Sequence, residues 1–157
     1  MHIALQIALE SPRQPDVIAL IADLDAYQDS LYPADARYAL DLDALARPEV
    51  LFAVARNDSG VAVGCGAIVL AGDQGELKRM FVRPEARGTG AGSAIIRFLE
   101  SAAHERGGRT VQLETGPYQP EALAFYARHG YTRCAAFGGY PEHPLSVFMT
   151  KSWAGAV

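Results

Sequence analysis

The most constraining stretch of the chain is residues 77 to 97, Leu-Lys-Arg-Met-Phe-Val-Arg-Pro-Glu-Ala-Arg-Gly-Thr-Gly-Ala-Gly-Ser-Ala-Ile-Ile-Arg. Leu77, Met80, Phe81 and Val82 suit a strand, and Pro84 pushes Arg83 into an extended conformation and ends the ladder, so the strand is expected to stop at Arg83. Beyond it Gly88, Gly90 and Gly92 alternate with small residues, which lets the backbone turn tightly with its N–H groups uncovered. From about Ser93 onward Ile95, Ile96 and Leu99 recur at helical spacing, so the glycines open a helix. Unpaired N–H groups and the positive end of the dipole make such a terminus an anion site. Lys78, Arg79, Arg83, Arg87 and Arg97 face a single acid, Glu85, so the segment is locally +4 in a chain of net charge −4. That contrast favours a phosphate-bearing ligand over a turn whose charges are merely solvated.

Glycine-rich turns serve several phosphate ligands. A Walker loop ends in Gly-Lys-Ser/Thr, whereas Gly92 is followed by Ser93 and Ala94, and this excludes a P-loop. A dinucleotide fingerprint needs glycine or alanine where Ser93 stands, which makes that reading weak.

The run Arg87-Gly88-Thr89-Gly90-Ala91-Gly92 after a strand resembles the acyl-CoA pyrophosphate loop of the GCN5-related N-acetyltransferases. A second stretch, Ala122-Leu-Ala-Phe-Tyr126-Ala-Arg-His-Gly130-Tyr131, resembles the family's later helix, and the likeness is firm over residues 76 to 131. The resemblance implies a mixed, mostly antiparallel sheet flanked by helices, with two central strands, 76–83 and 109–115, splayed to admit a thioester. It also implies an N-acetyltransferase that moves an acetyl group directly from acetyl-CoA to a primary amine of a small molecule or peptide, with no metal. The alternative from another class is a non-catalytic acyl-CoA-binding or sensing module, because fold alone does not set function.

Residue roles follow from the same resemblance. Backbone groups of Met80, Phe81 and Val82 pair with the pantetheine arm, and N–H groups from Arg87 through Gly88, Thr89, Gly90, Ala91, Gly92 and Ser93 hold the pyrophosphate. Glu76 is the expected base, with Glu114 as substitute. Tyr126 is the expected acid: a tyrosine keeps its proton at neutral pH, its ordinary pKa being about 10, and can give it to a departing thiolate. Periodicity alone would make Tyr126 part of an apolar stripe with Ala122 and Leu123. The family's usual asparagine, three residues before Ala122, is replaced by Gln119, which keeps the amide on a longer arm. In the family the acceptor pocket is bordered by the first helix pair and the last two strands, which here supply Tyr27, Tyr32, Arg37, Tyr38, Phe137 and Tyr140; the same aromatics equally suit the core, and Asp41 and Asp43 fit either a cationic amine or solvated helix acids.

The remaining chain fits one domain over residues 1–157, long enough to bury roughly 70% of its unfolded surface. Half the residues are hydrophobic and a fifth charged, as in soluble globular proteins. No basic leader and no apolar run of ~20 residues is present, so a cytoplasmic protein without membrane contact is expected. Cys65 and Cys134 lack CxxC or Cys/His neighbours and read as small buried hydrophobes, and the four histidines are scattered. A pI of 5.5 disfavours nucleic-acid binding. A homodimer is admitted.

Periodicity predicts a strand through Ile3 to Leu9, a helix from Pro15 to about Leu31 with Val17, Ile18, Leu20, Ile21, Leu24 and Tyr27 on one stripe, and a shorter helix around Ala39 to Ala46. Strands follow at Val50 to Arg56 and Val61 to Ala71, where Gly64 and Gly66 suggest a bulge or a close approach. After the central strand and helix come a strand at Arg109 to Thr115, a helix at Pro120 to His129, and strands at Tyr131 to Phe137 and Leu145 to Lys151.

Overall fold

The structure is a computed structural model that describes residues 4–33 and 41–153. Its elements are β1 (Gln6–Leu9), α1 (Pro15–Leu31), α2 (Leu42–Leu45), β2 (Val50–Arg56), β3 (Ala62–Ala71), β4 (Gln74–Val82), a 3-10 turn (Pro84–Ala86), α3 (Ala91–Glu105), β5 (Thr110–Thr115), α4 (Pro120–Arg128), β6 (Thr132–Cys134) and β7 (Val147–Ser152). The succession of strands and helices is the one the sequence predicts. The strands form one seven-stranded sheet in the order β1-β2-β3-β4-β5-β7-β6. Among the described residues only β4 and β5 run parallel; every other neighbouring pair is antiparallel.

Alternation along β2 explains why both faces of the sheet are covered. Leu51, Ala53 and Ala55 point to one face, where Ile95, Ile96 and Leu99 of α3 pack with Leu77, Val111 and Leu113. Phe52 and Val54 point to the other, where Val17, Leu20, Ile21 and Leu24 of α1 meet Cys65 and Phe81. The α1 stripe is narrower than predicted. Ile18 and Tyr27 are 43% and 38% exposed, because the buried set follows the i, i+3, i+4, i+7 spacing from Val17.

Several boundaries also shift. The central strand ends at Val82 rather than Arg83, and α3 begins at Ala91, two residues before the predicted start. The expected helix near Ala39 is one turn at Leu42–Leu45, with residues 34–40 outside the described region, and the last-but-one strand shrinks to Thr132–Cys134. Close approach accounts for Gly66: a Cβ there would lie 2.6 Å from the Met80 sulfur and 3.0 Å from Leu99 Cδ1.

Candidate active site

The parallel pairing of β4 with β5 runs from Gln74↔Thr110 to Leu77↔Leu113 and stops, although β4 continues to Val82 and β5 to Thr115. A bulge coincides with the divergence. Pairing between β3 and β4 passes from Ala67↔Lys78 to Cys65↔Phe81, so Arg79 and Met80 together oppose Gly66. Arg79 carries the extra turn with φ +60°, a left-handed conformation unusual for a side-chain-bearing residue. Its guanidinium pairs with Asp25 of α1 at 2.5 Å and the Cys65 thiol donates to its carbonyl at 3.3 Å, which fixes the bulge from both sides. Beyond Leu77 and Leu113 the two strands therefore separate, β5 staying with β7 through Thr115↔Val147.

A cavity of about 150 Å³ occupies this gap, lined among others by Glu76, Lys78, Glu114, Gln119 and Tyr126. A second, larger space of about 620 Å³ runs along Phe81, Val82, Arg87, Gly88, Gly92 and Phe125. Met80, Gln119 and Tyr126 border both. The strand end, the glycine turn and Tyr126 of α4 thus border two neighbouring spaces that share wall residues.

The turn has the geometry of an anion site. Gly90, at φ +87°, is the residue ahead of α3, and the Ala94 N–H bonded to its carbonyl at 3.0 Å starts the helical ladder. The N–H groups of Ala91, Gly92 and Ser93 precede that bond and have no intrahelical partner. The Thr89 hydroxyl donates to the Ala86 carbonyl at 2.5 Å and braces the turn, and Ser93 Oγ lies 2.9 Å from His129 Nε2. Arg87 Nε donates to the Val82 carbonyl at 3.0 Å, and its guanidinium lies 5.9 Å from the ring centres of Tyr27 and Phe81. Arg87 is thus held against the groove wall. The Phe81 side chain is buried beneath α1, and its backbone pairs with Cys65 of β3.

At the splay, Glu76 accepts a hydrogen bond from the Tyr140 hydroxyl and pairs with Lys78 Nζ at 3.3 Å, while Lys78 Nζ donates to Tyr140 Oη at 2.5 Å. Residues 76 and 78 meet because alternate strand positions share a face. Glu114 lies in a different environment. Burial pushes its carboxyl up to about 7, opposed by the Ser146 hydroxyl and the Lys78 charge and reinforced by Glu76. Ser146 Oγ is itself buried without a partner at normal hydrogen-bond geometry among the described residues. Burial also raises the Tyr126 phenol above its usual range, so it stays protonated at neutral pH.

Of the expected acceptor residues, Tyr32 lines the small cavity and Tyr27 the larger one, while Phe137 packs edge-on against Tyr140. Asp41 instead caps α2 through the Ala44 N–H at 2.8 Å, and Asp43 pairs with Arg13 at 2.6 Å, so both acids have structural work away from the cavity. Arg37 and Tyr38 lie outside the described residues. The Glu76–Lys78–Tyr140 cluster was missed. Its signal in the sequence is the Glu-x-Lys spacing on a strand, but nothing in the sequence places Tyr140 beside it.

A mixed sheet splayed at its centre, with a glycine turn and helix N-terminus at the mouth, is the arrangement expected of the acyl-CoA N-acyltransferase fold. The acetyltransferase (GNAT) family matches over residues 17–131, and the chain belongs to that family. It is 46% identical over 147 residues to the IAA acetyltransferase of Azospirillum brasilense, covering 92% of this chain and 95% of that one. The uncharacterized N-acetyltransferase YsnE of Bacillus subtilis is 30% identical over 151 residues, 94% of this chain and 99% of its own. A solved structure described as an acyl-CoA N-acyltransferase, from Klebsiella pneumoniae, superimposes with a TM-score of 0.79 at 38% identity, covering 96% and 97% of the two chains. The protein is an N-acetyltransferase.

Proposed function

We propose that the chain transfers an acetyl group from acetyl-CoA directly to a primary amine of a small molecule or peptide, without an acyl-enzyme. The observation that carries this reading is Tyr126 standing between the two spaces, where a thioester passing from the groove into the splay would present its sulfur. The larger space suits the cosubstrate: a turn with free helix N–H groups at one end, the stretch Met80, Phe81 and Val82 that has no β5 partner along its length, and the Gln119 amide beside the gap.

In this reading the N–H groups from Arg87 to Ser93 hold the pyrophosphate and β4 pairs with the pantetheine as a further strand would. A carboxylate of the splay, Glu76 in the expectation from sequence, frees the amine of its proton, and Tyr126 protonates the departing sulfur. A non-catalytic acyl-CoA module would need none of these titratable side chains in the gap.

The test is thiol release from acetyl-CoA against a panel of amino acids, polyamines, aminoglycosides, arylalkylamines and peptide N-termini, with mass spectrometry of each acceptor. Acetylated amine accompanying stoichiometric CoA supports the reading. Tight CoA binding with no turnover on any amine would favour the binding module.

A further inference from the structure

We infer that Glu114, rather than Glu76, takes the proton from the acceptor ammonium, an assignment that rests on the amine-acetylation reading above. Three observations carry it. Glu114 is the first β5 residue beyond the last β4–β5 pair, Leu77↔Leu113, and it lines the same cavity as Tyr126. By strand alternation it shares a face with Gln112, the partner of Glu76, so both carboxylates look toward the acceptor side. The two differ in what holds them. Oε2 of Glu76 is occupied by the Tyr140 hydroxyl and by Lys78 at 3.3 Å, an arrangement that anchors the segment carrying Tyr140 to β4.

The groups facing Glu114 come from the elements around it: Glu76 and Lys78 from β4, Ser146 from the approach to β7 and Tyr32 from the residue that ends α1. Desolvation exceeds the help from Ser146 and Lys78 and places the carboxyl at about 7. A base near the working pH combines a usable deprotonated fraction with the strength to pull a proton from an ammonium. The ammonium gives one proton to Glu114, which passes it to solvent. The nitrogen then attacks the thioester carbonyl, the C–N bond forms and the C–S bond breaks. Tyr126 gives its proton to the sulfur and recovers one from the nitrogen, so the products are the amide, the CoA thiol and one proton released to water.

The test has one arm that needs no acceptor. With CoA bound, a carbon-13 NMR titration of the glutamate carboxyls, assigned by Glu114→Gln, should show Glu114 titrating near pH 7. A midpoint in the ordinary carboxylate range overturns the inference even if the enzyme acetylates amines. The second arm uses the panel amine with the highest turnover. Wild-type kcat/KM should fall as pH drops through about 7, and Glu114→Gln should remove that limb and lower kcat/KM by ~10²–10⁴-fold. Glu114→Asp should restore part of the loss, and Glu76→Gln should keep the limb. A limb lost in Glu76→Gln and kept in Glu114→Gln would make Glu76 the base. Absence of turnover on every amine would instead contradict the amine-acetylation reading, with the titration still deciding whether Glu114 is poised as a base.

Discussion

Leu77 pairs with Leu113 in the parallel ladder of the central strands, and no β4–β5 pair follows it. Both leucines are buried under α3, so the ladder is fixed up to this point by the core. One residue later, Lys78 and Glu114 stand on diverging strands and border the gap. The site is therefore built at the place where the core stops holding the two strands together, and the Arg79 bulge turns β4 aside.

The turn should bind CoA through its backbone. Gly90 sits at φ +87°, where a β-branched side chain is strained, and a Cβ on Gly92 would lie 3.2 Å from the Phe125 ring. Gly90→Val and Gly92→Val should each abolish CoA binding by calorimetry while circular dichroism still reports the fold. Unchanged affinity in folded Gly90→Val would contradict the assignment of the pyrophosphate to this turn.

Glu114 should lower stability as it ionises. Its folded pKa, about 7, lies above the ordinary 4.5, so folding favours the protonated acid. The associated stability is fully present below pH 4.5 and lost as pH rises through 7. Glu114→Gln should therefore raise the melting temperature at pH 8, by an amount reflecting on the order of 2 kcal/mol, and change it little near pH 4.5. An equal effect at both pH values would show that the change is in packing and not in ionisation.

Much of this was legible in the sequence, for local reasons. Pro84, the glycine run and the Ile95, Ile96, Leu99 spacing mark a strand, a turn and a helix through backbone chemistry and periodicity, and the structure places each within two residues. What was hidden depends on non-local contacts. Arg79 at φ +60° is held by Asp25 and Cys65, residues 54 and 14 positions away, and no periodicity announces it. Tyr140 reaches Glu76 and Lys78 across more than sixty residues. Asp41 caps α2 within its own turn, whereas Asp43 pairs with Arg13 thirty positions away, a contact that periodicity does not announce either.

Neither cysteine should take part in turnover. Burial pushes the Cys65 thiol up to about 12, which leaves almost no thiolate at neutral pH, and it also raises Cys134. The double variant Cys65→Ser, Cys134→Ser should keep its turnover when folded, because serine at 65 still donates to the Arg79 carbonyl. Loss of turnover in a folded double variant would point to an acyl-cysteine route.

Tyr126 borders both the groove and the splay and packs edge-on against Phe125 and Tyr131 at ring distances of 5.4 and 5.9 Å. Tyr126→Phe keeps the ring and its packing and removes only the proton. The decisive measurement is steady-state turnover of this variant at saturating acetyl-CoA, beside its CoA affinity and melting temperature. Turnover should fall by ~10²–10⁴ while affinity and stability stay close to wild type. Full turnover in Tyr126→Phe, or a loss of turnover matched by an equal loss of stability, would contradict the role of Tyr126 as the acid.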